Sequence, residues 1–428
     1  MKIHKIEITN YKAIRHLYFD CGARVNVFVG INGSGKSTVL QAIKTQLSWF
    51  VSKMKSRNGR GVVLYDSDIT LGEDMCLLDT FFHYEDVEYH GRLYKQRSTN
   101  RDHAYSAKSN MKEIVDLTDL LVKKYERDKQ TCNLPVVAYY GVNRIVTDAP
   151  ARLHKNHELN PVLVYDKALE GSVNFRSFFE WYREREDLEN ENYRETGILT
   201  IDQQLQAVRT ALKKVLPNYG ELKVKRNPRR FVMKKNGSEF NFNRLSDGEK
   251  CYLTLIGDMA RKLAMANPSM SNPLLGEGIF LIDEIDLHLH PLWQQEILKN
   301  ITDIFPNSQF FVTTHSPFVV SSSKTYDNDQ LIILNNGEAF PVYDNLYGAE
   351  VETTLTSEAF NLSSIRNNEV QSHIDNIWNC LSENDFSSDT FKEEEQWLKN
   401  NIAPDDLEFS KIKLEIAKIE KQSHEADS

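Results

Sequence analysis

The 428-residue sequence predicts an α/β fold built on a parallel sheet. Three observations carry this. Apolar runs at 25–29 (VNVFV), 278–283 (GIFLID) and 310–314 (FFVTT) have the length and β-branched content of buried strands. Helix-like segments separate them, as parallel pairing requires. The first run ends on a glycine-rich turn that opens a helix.

The remaining elements follow in order. Ile3, Ile6, Ile8 and Tyr11 read as an N-terminal strand. Residues 38–50 form the helix after the glycine turn. Residues 80–98 alternate with aromatics around Gly91 and predict a hairpin. Residues 111–129 place Ile114, Leu117, Leu121 and Tyr125 on one helical face. LPVVAYY at 134–140 is a further core strand, and 175–215 reads as helical. FVMKK and SEFNF flank Asn236-Gly237, a two-residue hairpin turn. A helix is predicted at 248–266, and from about 350 the chain is helical and acidic.

Composition narrows the class. With 40% hydrophobic and 26% charged residues the chain is globular, neither disordered nor fibrous. There is no 18-residue apolar run and no signal-peptide core at the start, so a cytoplasmic protein without membrane contact is expected. The five cysteines are dispersed and form no CxxC, which excludes a disulfide framework or zinc ribbon. The net charge of −9 argues against a general nucleic-acid coat. It is uneven, however, since residues 381–428 alone hold 13 acidic and 6 basic groups. Residues 223–235 carry seven basic residues and no acidic one within the run. That stretch is either a solvated hairpin face or a local DNA contact.

The sharpest chemistry lies at Gly30-Ile-Asn32-Gly33-Ser34-Gly35-Lys36-Ser37-Thr38. It matches G-x-x-x-x-G-K-[ST] between a strand and a helix. Its glycines let backbone N–H groups wrap phosphate oxygens at a helix N-terminus. Lys36 would reach the β/γ-phosphates of ATP, and Ser37 would offer a hydroxyl to Mg²⁺. The run ending in Asp283-Glu284 puts two carboxylates at the tip of a buried strand, which is costly without a compensating cation. Asp283 fits a Mg²⁺ ligand and Glu284 a catalytic base for the attacking water. His315, after another apolar strand, is a candidate γ-phosphate sensor. His288 and His290 lack further ligands at metal spacing and read as structural.

Leu245-Ser246-Asp247-Gly248-Glu249-Lys250 resembles the LSGGQ-type signature of ABC-class ATPases. Together with GINGSGKST, FLIDEIDLHLHP and TTHSP, it resembles the RecF/SMC-like branch of AAA family ATPases. The match extends over ITNYKAI, LPVVAYYGVNR, FFEWYREREDLEN and LYGAEVETTL, and points to the PtuA-like ATPases of Septu-type antiphage systems. The resemblance implies an ABC-type P-loop NTPase head with an inserted helical lobe and a helical C-terminal tail. The head would span 1–350, with an N-terminal lobe about 1–100, a helical insertion about 101–220 and a signature lobe about 221–350. The tail would span 351–428.

The same resemblance implies slow ATP hydrolysis, ATP-sandwich homodimers or higher oligomers, and a separately encoded HNH nuclease partner. The signature residues Leu245, Ser246, Asp247, Gly248 and Glu249 would complete the ATP site of a second copy, with Asp286 near the interface. The coupling segment would lie at 139–144, offering Tyr140, Asn143 and Arg144. Lys12 either approaches the nucleotide or is solvated. No sustained heptads occur, so a coiled-coil arm is not expected. The 113 residues after His315 lack a TOPRIM pattern, so no intrinsic nuclease is expected. Ile412, Ile416 and Ile419 form a helical stripe that packs on the chain's own body or docks a partner. The alternative function is a stand-alone RecF-like DNA-binding ATPase in DNA repair. A transporter subunit is disfavoured by the segment Asp286-Leu-His-Leu-His-Pro.

Overall fold

The computed structural model describes residues 1–97, 108–129, 131–143, 160–172, 175–198, 200–227, 229–235, 237–324, 329–342, 344–383, 388–403 and 405–426. Two compact units emerge: Met1–Thr354 with Glu358–Phe360, and Leu355–Ser357 with Asn361–Ser428.

The first unit opens with β1 (Lys2–Tyr11), β2 (Ile14–Asp20) and β3 (Val25–Val29), then α1 (Lys36–Lys55). The hairpin β4 (Met75–Tyr84) and β5 (Val87–Gln96) precedes α2 (Lys112–Arg127) and β6 (Val136–Tyr140). Helices α3 (Phe175–Thr196) and α4 (Gln203–Val215) lead to β7 (Lys223–Arg226), β8 (Arg229–Lys235) and β9 (Ser238–Asn241). Then come α5 (Asp247–Ala266), β10 (Gly278–Ile282), α6 (Pro291–Ile304), β11 (Ser308–Thr313), α7 (Pro317–Val320), β12 (Asp329–Asn335) and β13 (Glu338–Pro341). Helix α8 (Val351–Thr356) follows, and α9 (Asn368–Ser382), α10 (Asp389–Asn401) and α11 (Leu407–Ala426) belong to the second unit.

The central sheet runs β13-β12-β3-β11-β10-β6, parallel except for the edge strand β13. Every residue of β3, β6, β10 and β11 is buried, as expected of a sheet covered on both faces. The antiparallel sheet β2-β1-β4-β5 forms the second layer. Helix α1 packs between the two sheets through Val39, Leu40, Ile43 and Leu47. The buried Gln309 side chain bridges them, donating to the carbonyls of Ile3 and Cys21 at 2.6 Å each. The chain thus has the predicted α/β fold, with inserted helical and C-terminal helical regions.

Two expectations change, and two open alternatives gain observations. The β4–β5 turn sits at Glu85-Asp86, with Glu85 at φ +50°, and Gly91 lies inside β5 opposite Thr80. A Cβ at Gly91 would press on Ile114 and Met111 at 3.1 Å, so this glycine makes room for helix packing. The predicted helix 175–215 is two helices. Gly197 at φ +69° ends α3, and the Asp202 side chain caps α4 by accepting from Leu205 N–H.

The basic run 223–235 is also partly balanced from elsewhere in the fold. Arg226 pairs with Glu186 and Asp187, Lys225 and Arg230 share Glu239, Lys223 faces Glu221 and Lys235 faces Glu249. These five carboxylates offset part of the run's seven positive charges. The stripe in α11, finally, turns inward on its own unit. Ile412 is buried with Ile374, Ile377, Leu398 and Phe409, and Ile416 packs against them. The Ile419 side chain lies outside the described residues. Among the described residues, no helix is long and apolar enough to cross a membrane.

Candidate functional site

The loop after β3 turns because its residues permit it. Gly30 adopts φ +147°, and a Cβ there would meet the Leu334 carbonyl oxygen at 2.4 Å. Gly35 at φ +104° is the cap from which α1 starts. The first turn of α1 holds no acidic residue of its own. Lys36 folds over the loop, donating to the carbonyls of Gly30 (2.8 Å) and Ile31 (2.9 Å). Burial lowers its pKa, while Asp283, Glu284 and Asp286 pull the other way.

A cleft forms where the C-terminal ends of β3, β10 and β11 meet. Asn32, Gly33, Gly35, Lys36, Ser37 and Thr38 line one wall, and Asp283, Glu284, Thr313 and His315 line the other. Ligand sites in parallel sheets form at these strand ends. Ser37 Oγ donates to Asp283 Oδ1 at 3.1 Å. Thr313 Oγ1 donates to the same carboxylate oxygen at 2.6 Å and accepts from Glu284 N–H at 2.7 Å. Glu284 is held at φ +49°, in the left-handed region. Strained backbone of this kind concentrates at functional sites. Ser34 is buried behind the loop, and its hydroxyl has no hydrogen-bond partner among the described residues.

His315 is exposed at the cleft, beyond the buried Thr313 and Thr314. Partial burial and the nearby Lys36 lower its pKa, against opposing pulls from Asp286, Glu284 and Asp283. Asp286 accepts from Thr314 Oγ1, and Ser316 caps α7. Lys12 lies elsewhere. It sits at φ +53°, pairs with Asp68 at 3.7 Å and does not line the cleft. Arg144 falls outside the described residues.

The signature segment is built at the start of α5. Ser246 Oγ accepts from Glu249 N–H, and the Glu249 carboxylate accepts from Ser246 N–H at 2.8 Å, a reciprocal cap. Tyr219 OH donates to the other Glu249 oxygen at 2.6 Å. Leu245 is buried, whereas Ser246 and Asp247 are exposed. Gly248 packs directly on the backbone of His288, whose carbonyl oxygen would lie 2.3 Å from a Cβ at that position. His288 thereby supports the signature turn, and His290 caps α6 by accepting from Leu292 N–H. None of the residues 245–249 lines the cleft of their own chain.

One contribution escaped the sequence reading. Thr313 joins the two acidic residues through one hydroxyl, and its only sequence signal was a hydroxyl residue at a strand end. Tyr140, a candidate of the coupling segment, links three elements: its carbonyl accepts from Asp283 N–H at 2.8 Å, and its hydroxyl donates to Asp258 of α5 at 2.9 Å.

The residues around this cleft fit a nucleotide with its cation. Glycines line the loop where side chains would fill the cradle. A hydroxyl and a carboxylate converge at Ser37 and Asp283, oxygen donors of the kind Mg²⁺ takes. A family model described as "AAA domain, putative AbiEii toxin, Type IV TA system" matches residues 25–321. The chain belongs to this AAA family. It is an ATP-binding and ATP-hydrolysing P-loop ATPase.

Similar proteins place it more narrowly. "Retron Vc95 probable ATPase" of Vibrio cholerae serotype O1 biovar El Tor is 30% identical over 387 residues, covering 78% of this chain and 74% of that protein. "Retron Ec83 probable ATPase" of Escherichia coli is 28% identical over 479 aligned residues, covering 98% and 87%. "Septu protein PtuA" of Bacillus thuringiensis is 24% identical over 353 residues, covering 80% and 78%. The ATPase is therefore related to the retron ATPases and to Septu protein PtuA.

Proposed function

We propose that this ATPase is the PtuA-like subunit of an antiphage defence complex, closing as an ATP-sandwich homodimer and regulating a separately encoded HNH nuclease. The similarity to retron and Septu ATPases supports the setting. The observation that carries the dimer is the separation of two built half-sites. The phosphate cleft is complete on one side, while the exposed Ser246-Asp247-Gly248 cap stands apart from it on the same chain. A second copy would bring that helix start, with its positive end, against the terminal phosphate. In this reading residues 1–350 are the head and 351–428 the tail.

The residues have separable tasks. The loop N–H groups and Lys36 bind and orient the triphosphate. Ser37 and Asp283 would hold Mg²⁺, which when bound supplies charge neutralisation across the β- and γ-phosphates. Glu284, fixed by Thr313, takes a proton from the attacking water. His315 faces the same space from the next strand end and contacts the γ-phosphate, so it reports whether that group is present.

The test combines two variants with a partner. Lys36→Ala should lose ATP binding, and Glu284→Gln should bind ATP, stop turning it over and accumulate as a dimer in light scattering. Co-expression with an adjacent HNH gene should yield a co-purifying complex. A chain that stays monomeric in every nucleotide state, or a Glu284→Gln variant with normal turnover, would overturn the reading.

A further inference from the structure

Far from the phosphate cleft, at the start of β1, three side chains converge in a way the ATPase chemistry does not use. Strands β1 and β4 pair Ile3 with Phe82 and then Lys5 with Phe81, so His4 is an extra residue on β1. A bulge of this kind re-aims the side chain it carries. His4 Nε2 thereby comes within 2.9 Å of Glu88 Oε2, and His83 Nε2 within 3.4 Å of the same oxygen. Glu88 lies directly opposite His83 across the β4–β5 ladder. The two imidazole rings are 4.1 Å apart, centre to centre. One ligand atom from each of the three residues falls within a 4.8 Å set.

We propose that His4, His83 and Glu88 form a binding site for a divalent transition-metal ion of the zinc type. Two imidazoles and one carboxylate are a ligand set that zinc accepts, with further positions left to water. The exposure pattern suits that arrangement. His4 is 27% exposed, while His83 and Glu88 are 55% and 52% exposed, so the ion has an entry path and an open face.

The donors come from three strands, and the turn between β4 and β5 fixes the separation of two of them before any ion arrives. His4 Nδ1 is buried without an acceptor, which leaves Nε2 as the coordinating atom. It also leaves the ligand without the outer partner that strengthens metal-bound histidines, so affinity should be moderate. The bound ion would tie β1 to the β4–β5 hairpin and stabilise the folded chain by mass action.

The experiment uses the tag-free full chain, stripped with chelator, titrated with Zn²⁺ by calorimetry and with Co²⁺ by visible absorption. One equivalent should bind, Co²⁺ should develop ligand-field bands, and Zn²⁺ should raise the melting temperature. His4→Ala tests the bulge but touches a half-buried ring. The exposed His83→Gln and Glu88→Gln variants therefore carry the decision, with unchanged Mg²⁺-ATP turnover as the folding control. Each should weaken Zn²⁺ by more than the roughly 10–100-fold that loss of an outer partner costs. Full-strength Zn²⁺ binding in both exposed variants, or no binding by the parent chain, overturns the proposal.

Discussion

Replacing Gly248 by alanine probes how the signature turn is held. A Cβ at this position would lie 2.3 Å from the His288 carbonyl oxygen, where real Cβ atoms essentially never come closer than 3.0 Å. The two must therefore separate by at least about 0.7 Å. Neither side can yield through a rotamer, because both are backbone. His288 already sits at φ +64°, and the start of α5 is pinned by the Ser246–Glu249 cap and Tyr219. Overpacking of this kind costs roughly 1–3 kcal/mol. Part of that should appear as lost stability and part as displacement of Ser246 from the segment 284–288.

The assay measures thermal unfolding, ATP affinity and turnover on one preparation. Affinity at the phosphate loop should stay within a factor of about two. If 1.4 kcal/mol of the cost falls on the closed dimer, turnover drops about tenfold. Lys112→Ala, at an exposed position of α2 outside both half-sites, serves as the control and should behave like the parent. A Gly248→Ala protein with parental melting temperature and turnover would refute the argument that this contact positions the signature.

Three further outcomes follow from particular contacts. Thr313→Val removes the hydroxyl shared by Asp283 and the Glu284 backbone, so kcat should fall well beyond any change in KM, with a stability loss of about 1–3 kcal/mol in chemical denaturation. Tyr140→Phe leaves Asp258 paired with Arg261 but breaks the tie to β6, and should cost about 1 kcal/mol while reducing turnover more than ATP affinity. The third concerns acid. Hydrogen bonds from Arg366 hold the Asp406 carboxyl below the ordinary carboxylate range. Its stabilisation is therefore present above the ordinary carboxylate pKa and fades as pH falls through the lowered one. Asp406→Asn should lose about 1 kcal/mol at neutral pH, given solvent screening, and show a flatter acid profile by circular dichroism.

How far the sequence reached depended on whether the deciding physics was local. β3, β10 and β11 were legible because strands buried on both faces must be continuously apolar. The phosphate loop was legible because its glycines, lysine and serine act within nine residues. The Glu85-Asp86 turn was missed because Glu85, the residue at positive φ, is not a usual left-handed former, whereas Gly91 looked like one. The break between α3 and α4 was in fact written in Gly197 and Asp202, a helix stop and a cap only five residues apart. The basic run left two readings open for the opposite reason. Its neutralising carboxylates sit on α3, in the Glu221 turn and on β9, and no window around 223–235 sees Glu186. Thr313 and Tyr140 lay in quoted motifs, but their importance rests on partners that only the folded sheet brings near.

Tyr140 and its neighbour Tyr139 also bear on what joins the parts of the ATPase. The end of β6 alternates faces, so its last two tyrosines reach in opposite directions. Tyr139 accepts from Gln41 of the phosphate-loop helix at 3.3 Å, and Lys44 of the same helix lies over its ring at 4.6 Å. Tyr140 reaches Asp258 of the signature helix, and its carbonyl fixes the backbone of Asp283. Asp258 is buried among Arg261 and Lys262, so its position is set by charge as well as packing. One strand end therefore touches the helix that binds phosphate, the strand that carries the acidic pair, and the helix proposed to reach a second copy. Two aromatic hydroxyls and a main-chain hydrogen bond connect the three. A shift of α1 or Asp283 on nucleotide binding would have to be absorbed at Tyr139 and Tyr140 or passed to α5. The buried charge network around Asp258 makes absorption the costlier course.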